Sequence, residues 1–234
     1  MDISTLKLYA THEHPCSYLE GETATTVFVD PYAPINASMY SELSDYGFRR
    51  SGKHLYRPHC SNCQACIPVR IPVSEFRFNR SQKRCLKRNE DVTIDVVADI
   101  DTNQHFALYE RYLEQRHSDG DMYPPSREQF QEFLSAEWNT TRYLELKADN
   151  KLLAVAVSDK LDQGLSAIYT FYDPAEDVRS LGTLAVLRQI LLARDLQLPY
   201  VYLGYWIKDC AKMRYKSQYK PLQMYINHQW LTFE

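Results

Sequence analysis

The sequence predicts an α+β protein in which a short, turn-rich first part precedes a regular second part. Three observations lead to this prediction. Apolar residues recur with helical or strand periods after residue 90, turn dipeptides separate several of these runs, and the first part is rich in bases and cysteines. The composition changes most strongly around residues 89–102. We therefore predict a basic, Cys-containing domain at 1–95 and a second domain at 96–234.

The second part begins with one predicted strand and two predicted helices. Residues 91–99 alternate apolar and polar side chains, which is typical of a strand. Residues 102–117 carry apolar and aromatic side chains at helical spacing. Ser126 starts a second predicted helix, which runs through Trp138 and has Gln129 as the capping-box partner.

The remaining elements follow in close succession. The turn signals Asp149-Asn150 and Gln163-Gly164 separate three strands, and a helix with an apolar stripe then leads into a buried strand. A basic helix and a last strand are predicted to close the chain. The predicted strands span residues 141–148, 152–161, 165–173, 200–207 and 222–232, and the predicted helices span residues 181–196 and 210–219.

The order of these elements is that of the Gcn5-related N-acyltransferase fold, in which the strand before the main helix separates from the next strand and admits the acyl donor. Acetyl-CoA enzymes of that fold start the helix with Arg/Gln-x-x-Gly-x-Gly/Ala, whose backbone N–H groups bind the pyrophosphate. This chain has RSLGTL at residues 179–184. Gly182 matches, but Leu184 is expected to obstruct a phosphate. We therefore expect a different activated acyl donor.

Charge is distributed unevenly along the chain. The sequence has 27 basic and 30 acidic residues and a formal net charge of −3. Residues 49–88, however, carry eleven bases against the single acid Glu75, and residues 208–220 carry five bases against Asp209. The rest of the chain is strongly acidic. A basic surface for a polyanion is therefore compatible with the acidic total.

The six cysteines indicate a possible metal site. No secretion signal is present, so we expect reduced thiols rather than disulfides. Cys60, Cys63 and Cys66 have a spacing that lets three thiolates converge from one loop, and Cys16 or a neighbouring histidine would supply the fourth ligand. The sequence thus predicts either zinc or an iron–sulfur cluster at these four cysteines, or a Cys-rich loop without metal.

Composition excludes several classes of protein. Hydrophobic residues make up 44% of the chain, with only 7 Gly and 11 Pro, which excludes disordered and fibrous proteins. No apolar run approaches the ~20 residues of a membrane span. Charged residues also occupy the start of the chain, where a signal peptide is apolar. We therefore expect a soluble, cytoplasmic protein that binds no membrane.

Several longer sequence motifs, called words here, carry a family resemblance. They span nearly the whole chain: HPCSYL (14–19), GFRRSGKHLYRPHC (47–60), SQKRCLKRN (81–89), YTFYDP (169–174), SLGTLAVLRQI (180–190) and YLGYWIKDCAKMRYKSQYKP (202–221). In these words the chain resembles the arginyl-tRNA protein transferase family, and specifically its short bacterial branch. Eukaryotic members have Cys-x-x-Cys where this chain has Cys16-Ser-Tyr-Leu19. One expected cluster ligand is therefore missing, although Cys60 and Cys63 could substitute for it.

The resemblance implies that the chain moves Leu from leucyl-tRNA to the α-amine of proteins that begin with Asp or Glu, as part of an N-degron pathway that ends at the degradation machinery. Because the aminoacyl ester is already activated, no cofactor would be required for the chemistry. Only the resemblance to the bacterial branch favours Leu over Arg as the transferred residue. Two other interpretations stay open: a CoA-dependent N-acetyltransferase, and a non-catalytic, metal-bearing RNA-binding module.

Charge, position and this resemblance together suggest binding residues. Basic side chains at helical spacing, and others after the buried strand 200–207, are expected to bind the tRNA: Lys83, Arg84, Lys87, Arg88, Lys212 and Lys216. A bidentate guanidinium suits an acidic N-terminal side chain, so the acceptor-binding candidates are Arg77, Arg80 and Arg214.

The strand before the long helix is expected to end where the reacting ester arrives. The catalytic candidates are Tyr169, Tyr172 and Asp173, with Asp173 orienting or deprotonating the amine. The alternative is that this Asp-Pro pair only ends the strand. The predicted donor pocket lies at the start of the helix, where the helix dipole favours an anion, and consists of Ser180, Gly182 and Thr183.

Overall fold

One long mixed sheet organises most of the chain. The computed structural model describes residues 3–100, 102–120 and 122–234. The α-helices are α1 (Ala37–Asp45), α2 (Arg80–Arg88), α3 (Asn103–Arg116), α4 (Arg127–Leu134) and α5 (Leu181–Asp195). The strands are β1 (Leu8–Ala10), β2 (His14–Pro15), β3 (Thr23–Ala24), β4 (Thr26–Val29), β5 (Arg49–Ser51), β6 (His54–Pro58), β7 (Ile67–Pro72), β8 (Thr93–Val97), β9 (Thr141–Ala148), β10 (Lys151–Leu161), β11 (Gly164–Tyr172), β12 (Tyr200–Trp206), β13 (Leu222–Ile226) and β14 (Gln229–Phe233).

The long sheet contains strands from both parts of the sequence. Its order is β14-β13-β7-β12-β11-β10-β9-β8. β7 lies antiparallel between β12 and β13, and β8 pairs with β9. Main-chain hydrogen bonds of β7, which precedes residue 95, therefore connect the first part of the chain to the second. The division into two domains at that residue stays a prediction.

Alternate side chains of the central strand β10 pack in two different hydrophobic cores. Ala154 and Ala156 belong to the core that contains α5. Val155 and Val157 belong to the core that contains α3 and α4. All four side chains are fully buried, which explains why residues 152–157 of this strand are continuously apolar instead of alternating. The prediction of a protein with mixed helices and strands is thus confirmed.

Most elements predicted after residue 90 are confirmed. β9 spans the predicted residues, and β10, β11, α5 and β12 differ from the prediction by one residue at one or both ends. Asp149 and Asn150 have φ values of 48° and 62°. Both residues of a tight two-residue hairpin turn need positive φ, so the predicted turn is also confirmed.

Two predictions near the C-terminus are wrong. The helix predicted at 210–219 is only a short 3-10 helix at Arg214–Gln218. The strand predicted at 222–232 is a hairpin of β13 and β14. Asn227 and His228 have φ values of 51° and 62°, so these two residues reverse the chain. Neither residue is a glycine, and the turn was therefore missed within an otherwise strand-like segment.

A buried ion pair joins the small sheet β1-β4-β6-β5 to the long sheet. Arg50 of β5 binds Asp159 of β10 through Nε and Nη2, and neither side chain is exposed to solvent. Tyr40 Oη and Thr141 Oγ1 donate to the same carboxylate at 2.7 and 2.8 Å. The aspartate therefore has a full set of donors, which is the condition under which a buried charge is tolerated.

The same arginine also ends α4. Arg50 Nη2 donates to the carbonyl of Leu134 at 3.2 Å, and Nη1 donates to the carbonyls of Phe133 and Ser135 at 3.2 and 3.1 Å. A cation that binds the last carbonyls of a helix stabilises that end. α4 therefore ends at Leu134, before Trp138, where the helix was predicted to end.

We expect Asp159→Asn to lower the free energy of unfolding by about 3–5 kcal/mol, because the substitution leaves the Arg50 cation buried without a counter-charge. Urea denaturation monitored by circular dichroism measures this change. Asp119→Asn is the matched control, since Asp119 pairs with Lys212 at 3.6 Å on the surface, and its loss should cost less than about 1 kcal/mol. Equal effects of the two substitutions would contradict the role given to the buried pair.

Candidate active site

β11 and β12 separate part-way along their length. Their parallel pairing joins residues 164–166 to residues 200–202 and then stops. β11 is buried over its paired residues and only half-buried over residues 167–170. We call the space between the diverging ends of β11 and β12, closed on one side by the start of α5, the notch. The separation predicted for the strands before and after the main helix is present.

The notch is a cavity of ≈ 640 Å³ with walls from several parts of the chain. Tyr169 and Tyr172 of β11 line it, as do Ser180, Gly182 and Thr183 at the start of α5. The structure therefore brings together two of the three predicted catalytic residues and the whole predicted donor pocket.

The start of α5 faces the notch without a side-chain cap. Ser180 is the N-cap residue, has a φ of 54°, and its side chain makes no capping hydrogen bond. The first N–H groups of an α-helix have no partner within the helix and attract anions. The residues predicted as a donor pocket thus present backbone donors and the positive end of a helix dipole, and their role as a donor pocket stays a prediction.

Arg49 enters the notch from β5, and no role was predicted for it. Its Nη1 donates to Ser166 Oγ at 2.7 Å, and its Nη2 donates to the carbonyl of Ala167. Both acceptors lie on β11, where the pairing with β12 ends. The guanidinium also lies against Gly204 of β12. A Cβ at that position would be only 3.3 Å from Arg49 Nε. Arg49 therefore spans the gap between the two strands.

Lys216 also lines the notch and is only 5% exposed. Its Nζ donates to the carbonyl of Tyr205 at 2.5 Å and to Met213 Sδ at 3.2 Å. Burial, and next the nearby Arg49 cation, lower the pKa of Lys216 to about 7. The side chain reaches down to the sheet and away from the surface, which explains why the basic segment around it does not form a solvated helix.

Asp173, the third predicted catalytic residue, does not line the notch. Its carboxylate binds Lys151 Nζ at 3.0 Å and accepts the N–H of Ala175 at 3.1 Å. Burial by itself would raise the pKa of Asp173, but the hydrogen bonds from Lys151 and Ala175 outweigh it, and the net pKa is lowered. The carboxylate thus caps the 3-10 helix that follows β11.

Four of the six side chains predicted to bind tRNA lie on α2. α2 exposes Lys83, Arg84, Lys87 and Arg88 and buries Gln82 and Cys85 on its other side, as the helical spacing predicted. No ion pair of these four cations is found among the described residues. Asn89, which follows α2, donates to the carbonyl of Arg179 at 2.9 Å, so the cationic helix is attached just before the start of α5.

The predicted acceptor-binding arginines lie outside the notch. Arg77 is exposed and donates to the carbonyls of Ser74 and Phe76 at 2.7 and 3.0 Å. Arg80 and Arg214 are exposed as well, and none of the three is among the residues that line the notch. Among the described lining residues, Arg49 is the only arginine.

Leu184 does not obstruct the start of α5. Its side chain is fully buried in the core between α5 and the long sheet. The expectation that it blocks a phosphate is therefore wrong, because its position on the helix turns it toward the sheet. The physical feature that distinguishes this notch is Arg49, which lies across the gap between β11 and β12.

The four cysteines of the predicted metal site line a second cavity of ≈ 760 Å³. All are free thiols, and burial together with the neighbouring thiols raises the pKa of Cys66 to about 12. In the described part of the chain, however, no group of three or more His, Cys, Asp or Glu side chains is arranged to hold a metal ion. The predicted zinc or iron–sulfur site does not fit this arrangement of the described cysteines.

Fold and site together define a mixed α/β protein with a cationic notch at the open end of two separating strands. Within the described residues, no helix is long and apolar enough to cross a membrane. The family model of the arginine-tRNA-protein transferase N terminus matches residues 14–84, and the model of the C terminus matches residues 104–226. The chain belongs to this family, which confirms the resemblance found in the sequence.

Individual relatives extend this similarity along the whole chain. A protein of Saccharophagus degradans, named aspartate/glutamate leucyltransferase, is 58% identical over 99% of both chains. A protein of Teredinibacter turnerae with the same name is 57% identical and covers 99% of this chain and 96% of its own. Among solved structures, the C-terminal domain of a lysylphosphatidylglycerol synthetase from Agrobacterium fabrum is 13% identical, with a TM-score of 0.47 over 71% of this chain and 51% of that one.

The low pKa of Lys216 predicts a pH-dependent stability. Between pH 7 and about 10.4 the unfolded state binds a proton on this lysine that the folded state does not, so the folded protein gains stability as pH rises through that window. Lys216→Met removes the effect. The unfolding free energy of Lys216→Met minus that of the unsubstituted protein should therefore fall as pH rises, by at most about 1.4 kcal/mol per pH unit.

Urea denaturation at several pH values between 6.5 and 9.5 tests this expectation. Lys212→Met serves as the control, because the Lys212 side chain is 66% exposed. The difference between this control and the unsubstituted protein should not change with pH. A constant difference for Lys216→Met as well would mean that Lys216 titrates as an ordinary lysine.

Proposed function

We propose that this chain moves Leu from leucyl-tRNA onto the α-amine of proteins that begin with Asp or Glu. Membership of the arginine-tRNA-protein transferase family supports an aminoacyl-tRNA donor and a protein acceptor. The name of the relatives supports Leu as the transferred residue and an acidic acceptor. The product, with its new N-terminal Leu, would then pass to the degradation machinery.

The single structural observation that carries this proposal is the content of the notch. One open-ended cavity combines an uncapped helix N-terminus, a guanidinium and a buried amine. The helix end suits a phosphate of the donor, the guanidinium suits an anion of the acceptor, and the buried amine in its neutral form suits a proton donor such as the α-amine of the acceptor. Its position between separating strands supports an N-acyltransferase-like arrangement of donor and acceptor.

The proposed reaction exchanges one bond for another. The neutral α-amine of the acceptor attacks the ester carbonyl carbon of the aminoacyl-tRNA, the C–N bond forms, and the ester C–O bond breaks. The terminal ribose oxygen leaves with the proton that the amine loses. Because the ester is already activated, the transfer itself needs neither ATP nor a cofactor. An α-amine with a pKa near ~8 is mostly protonated at pH 7, so the acceptor has to lose a proton first.

We assign this proton transfer to Lys216. A buried amine with a pKa of about 7 is partly neutral near physiological pH. Once the α-ammonium has lost its first proton to solvent, Lys216 can take the proton that the attacking amine loses and pass it to the leaving oxygen. Asp173 suits this role less, because Lys151 and the N–H of Ala175 occupy its carboxylate outside the notch. Lys216, predicted as a tRNA contact, is too deeply buried to reach a phosphate backbone.

The surface of α2 is the proposed contact for the tRNA acceptor stem. Its exposed lysines and arginines form a cationic face, and Asn89 attaches the end of the helix next to the start of α5. Phosphates along the stem then bind α2 while the aminoacylated end enters the notch. Exposed Lys212, whose segment borders the notch, extends the same contact.

A CoA-dependent acetyltransferase is the competing class, and the comparisons argue against it. The family model is described as an arginine-tRNA-protein transferase and the relatives are named leucyltransferases, so neither description points to an acetyl donor. A non-catalytic RNA-binding module would require neither the buried Lys216 nor the notch.

Incubation with radiolabelled leucyl-tRNA and four peptides tests the proposed function. We expect Leu to be transferred to peptides that begin with Asp or Glu and not to peptides that begin with Lys or Ala, because only the acidic side chains complement the cations of the notch. Arginyl-tRNA and acetyl-CoA are offered in parallel. Transfer of Arg in place of Leu would correct the donor, and acetylation without aminoacyl transfer would refute the proposal.

Lys216→Met, with Lys212→Met as the matched control, separates chemistry from tRNA binding in this assay. Loss of a general base lowers kcat by a factor of about 10²–10⁴. We expect that loss for Lys216→Met at saturating leucyl-tRNA, whereas Lys212→Met should chiefly raise the KM for the tRNA. A change confined to KM for both variants would return Lys216 to a binding role.

Charge reversal on α2 should weaken tRNA binding. We expect Lys83→Glu with Arg84→Glu to lower the affinity for leucyl-tRNA and to reduce the slope of log affinity against log salt concentration by about one per lost phosphate contact. Filter binding at several salt concentrations measures both. Lys7→Glu with Lys160→Glu makes the same charge change at exposed positions away from α2 and should leave the slope unchanged. An equal slope in both double variants would make α2 an ordinary solvated surface.

A further inference from the structure

We propose that Arg49 is the receptor for the side-chain carboxylate of the acceptor's first residue, and so determines the selection of Asp and Glu. This inference rests on the proposed function and assigns its acceptor specificity to one side chain. It replaces the exposed arginines Arg77, Arg80 and Arg214 that the sequence suggested for this role.

Arg49 lacks a counter-charge among the described residues. The residue is half-buried in the notch, and its two hydrogen-bond acceptors there, Ser166 Oγ and the carbonyl of Ala167, are neutral. Among the described residues it forms no ion pair, and its Nε has no hydrogen-bond partner. A partly desolvated guanidinium gains most from a bound carboxylate, which accepts charge-assisted hydrogen bonds.

The carboxylates near the notch do not fill this need. Glu176 and Asp177 also line the cavity. Glu176 is bound to Lys151 and Arg179, at 3.0 and 3.2 Å, and Asp177 is bound to Arg116. These two acids of the notch are thus paired with other cations, and neither is paired with Arg49.

Arg49 also lies close to Lys216. The Arg49 guanidinium rests on Gly204, and Lys216 Nζ binds the carbonyl of Tyr205, the next residue of β12. Among charged neighbours, Arg49 also has the largest lowering effect on the pKa of Lys216. The two groups therefore lie against adjacent residues of one strand.

This closeness matches the chemistry of an acidic first residue. In an N-terminal Asp, two carbon atoms separate the α-amine from the carboxyl carbon, so the two groups lie about 3–4 Å apart. A receptor for the carboxylate must therefore lie close to the group that takes the proton from the amine. Arg49 and Lys216 meet this condition, whereas the cations of α2 serve the phosphates of the tRNA from the surface.

The alternation of β5 explains how the sequence produces this placement. Arg49 and Arg50 are consecutive on the strand, so their side chains point to opposite faces. Arg50 turns inward to Asp159, and Arg49 is directed to the notch. The doubled arginine of the word GFRRSG thus has one structural and one functional member.

Transfer of Leu to two peptides that differ only in a first residue of Asp or Asn tests this assignment. Asn matches Asp in shape and lacks the charge. We expect the unsubstituted protein to prefer Asp, and we expect Arg49→Gln to lower kcat/KM for Asp by on the order of 10²-fold while the value for Asn changes little. The Asp/Asn ratio should then fall toward one.

Ser166→Ala is the matched control for anchoring. It removes one hydrogen bond between Arg49 and β11 and retains the cation, so we expect the preference for Asp to persist. If Arg49→Gln does not fold, Arg49→Lys keeps a positive charge at the position but loses the bidentate geometry, and should lower the Asp/Asn ratio about tenfold. An unchanged ratio in Arg49→Lys would overturn the assignment.

The outcomes distinguish the two proposals. No transfer to either peptide by the unsubstituted protein would refute the proposed function. Transfer to Asp that keeps its preference in Arg49→Gln would refute only the role of Arg49. An equal loss on Asp and Asn in Arg49→Gln would also refute it, because Arg49 would then act on the ester or its oxyanion and not on the acceptor side chain.

Discussion

The buried pair between Arg50 and Asp159 is the interaction on which the site depends. It joins β5 to β10, takes hydroxyl donors from two further elements, and binds the last carbonyls of α4. Neither the guanidinium nor the carboxylate is exposed to solvent, so the protein must supply all of their hydrogen-bond partners. One arrangement of the two side chains satisfies all of these partners at once. This geometry fixes the register of β5 against the long sheet. The neighbouring Arg49 is consequently held at the point where β11 and β12 separate, although it belongs to a different sheet.

Sequence periodicity predicted the central part of the fold because each element there repeats one pattern over many residues. β9, β10, β11, α5 and β12 agree with the prediction within one residue at each end. It failed where a single dihedral decides the structure, as at Asn227 and His228, whose positive φ values turn one predicted strand into a hairpin. It also gave no sign that β7 inserts between β12 and β13, since pairing partners distant in sequence leave no local pattern.

The site was predicted to the extent that it follows from element order. Tyr169, Tyr172 and the start of α5 lie in the notch because a strand that leads into a helix brings its end to the same place in any such fold. Arg49 and the burial of Lys216 depend on tertiary packing, and charge counts cannot distinguish a solvated base from a desolvated one. A local signal did exist, because consecutive arginines in a short strand must face opposite sides, and one of them must therefore face inward.

The arrangement of cations in the notch also gives a physical reason for a single transfer per acceptor. With Arg49 in its proposed role, the carboxylate of the first residue binds Arg49 before the reaction. The α-amine then lies beside Lys216, because Arg49 and Lys216 lie against adjacent residues of β12. Afterwards the new α-amine belongs to Leu, and it lies one residue, about 3.5 Å, farther from that carboxylate. The product can keep the carboxylate at Arg49 or bring its amine to Lys216, but not both at once. Its binding is therefore weaker than that of the substrate for the chemical step, so the product leaves without a second aminoacylation.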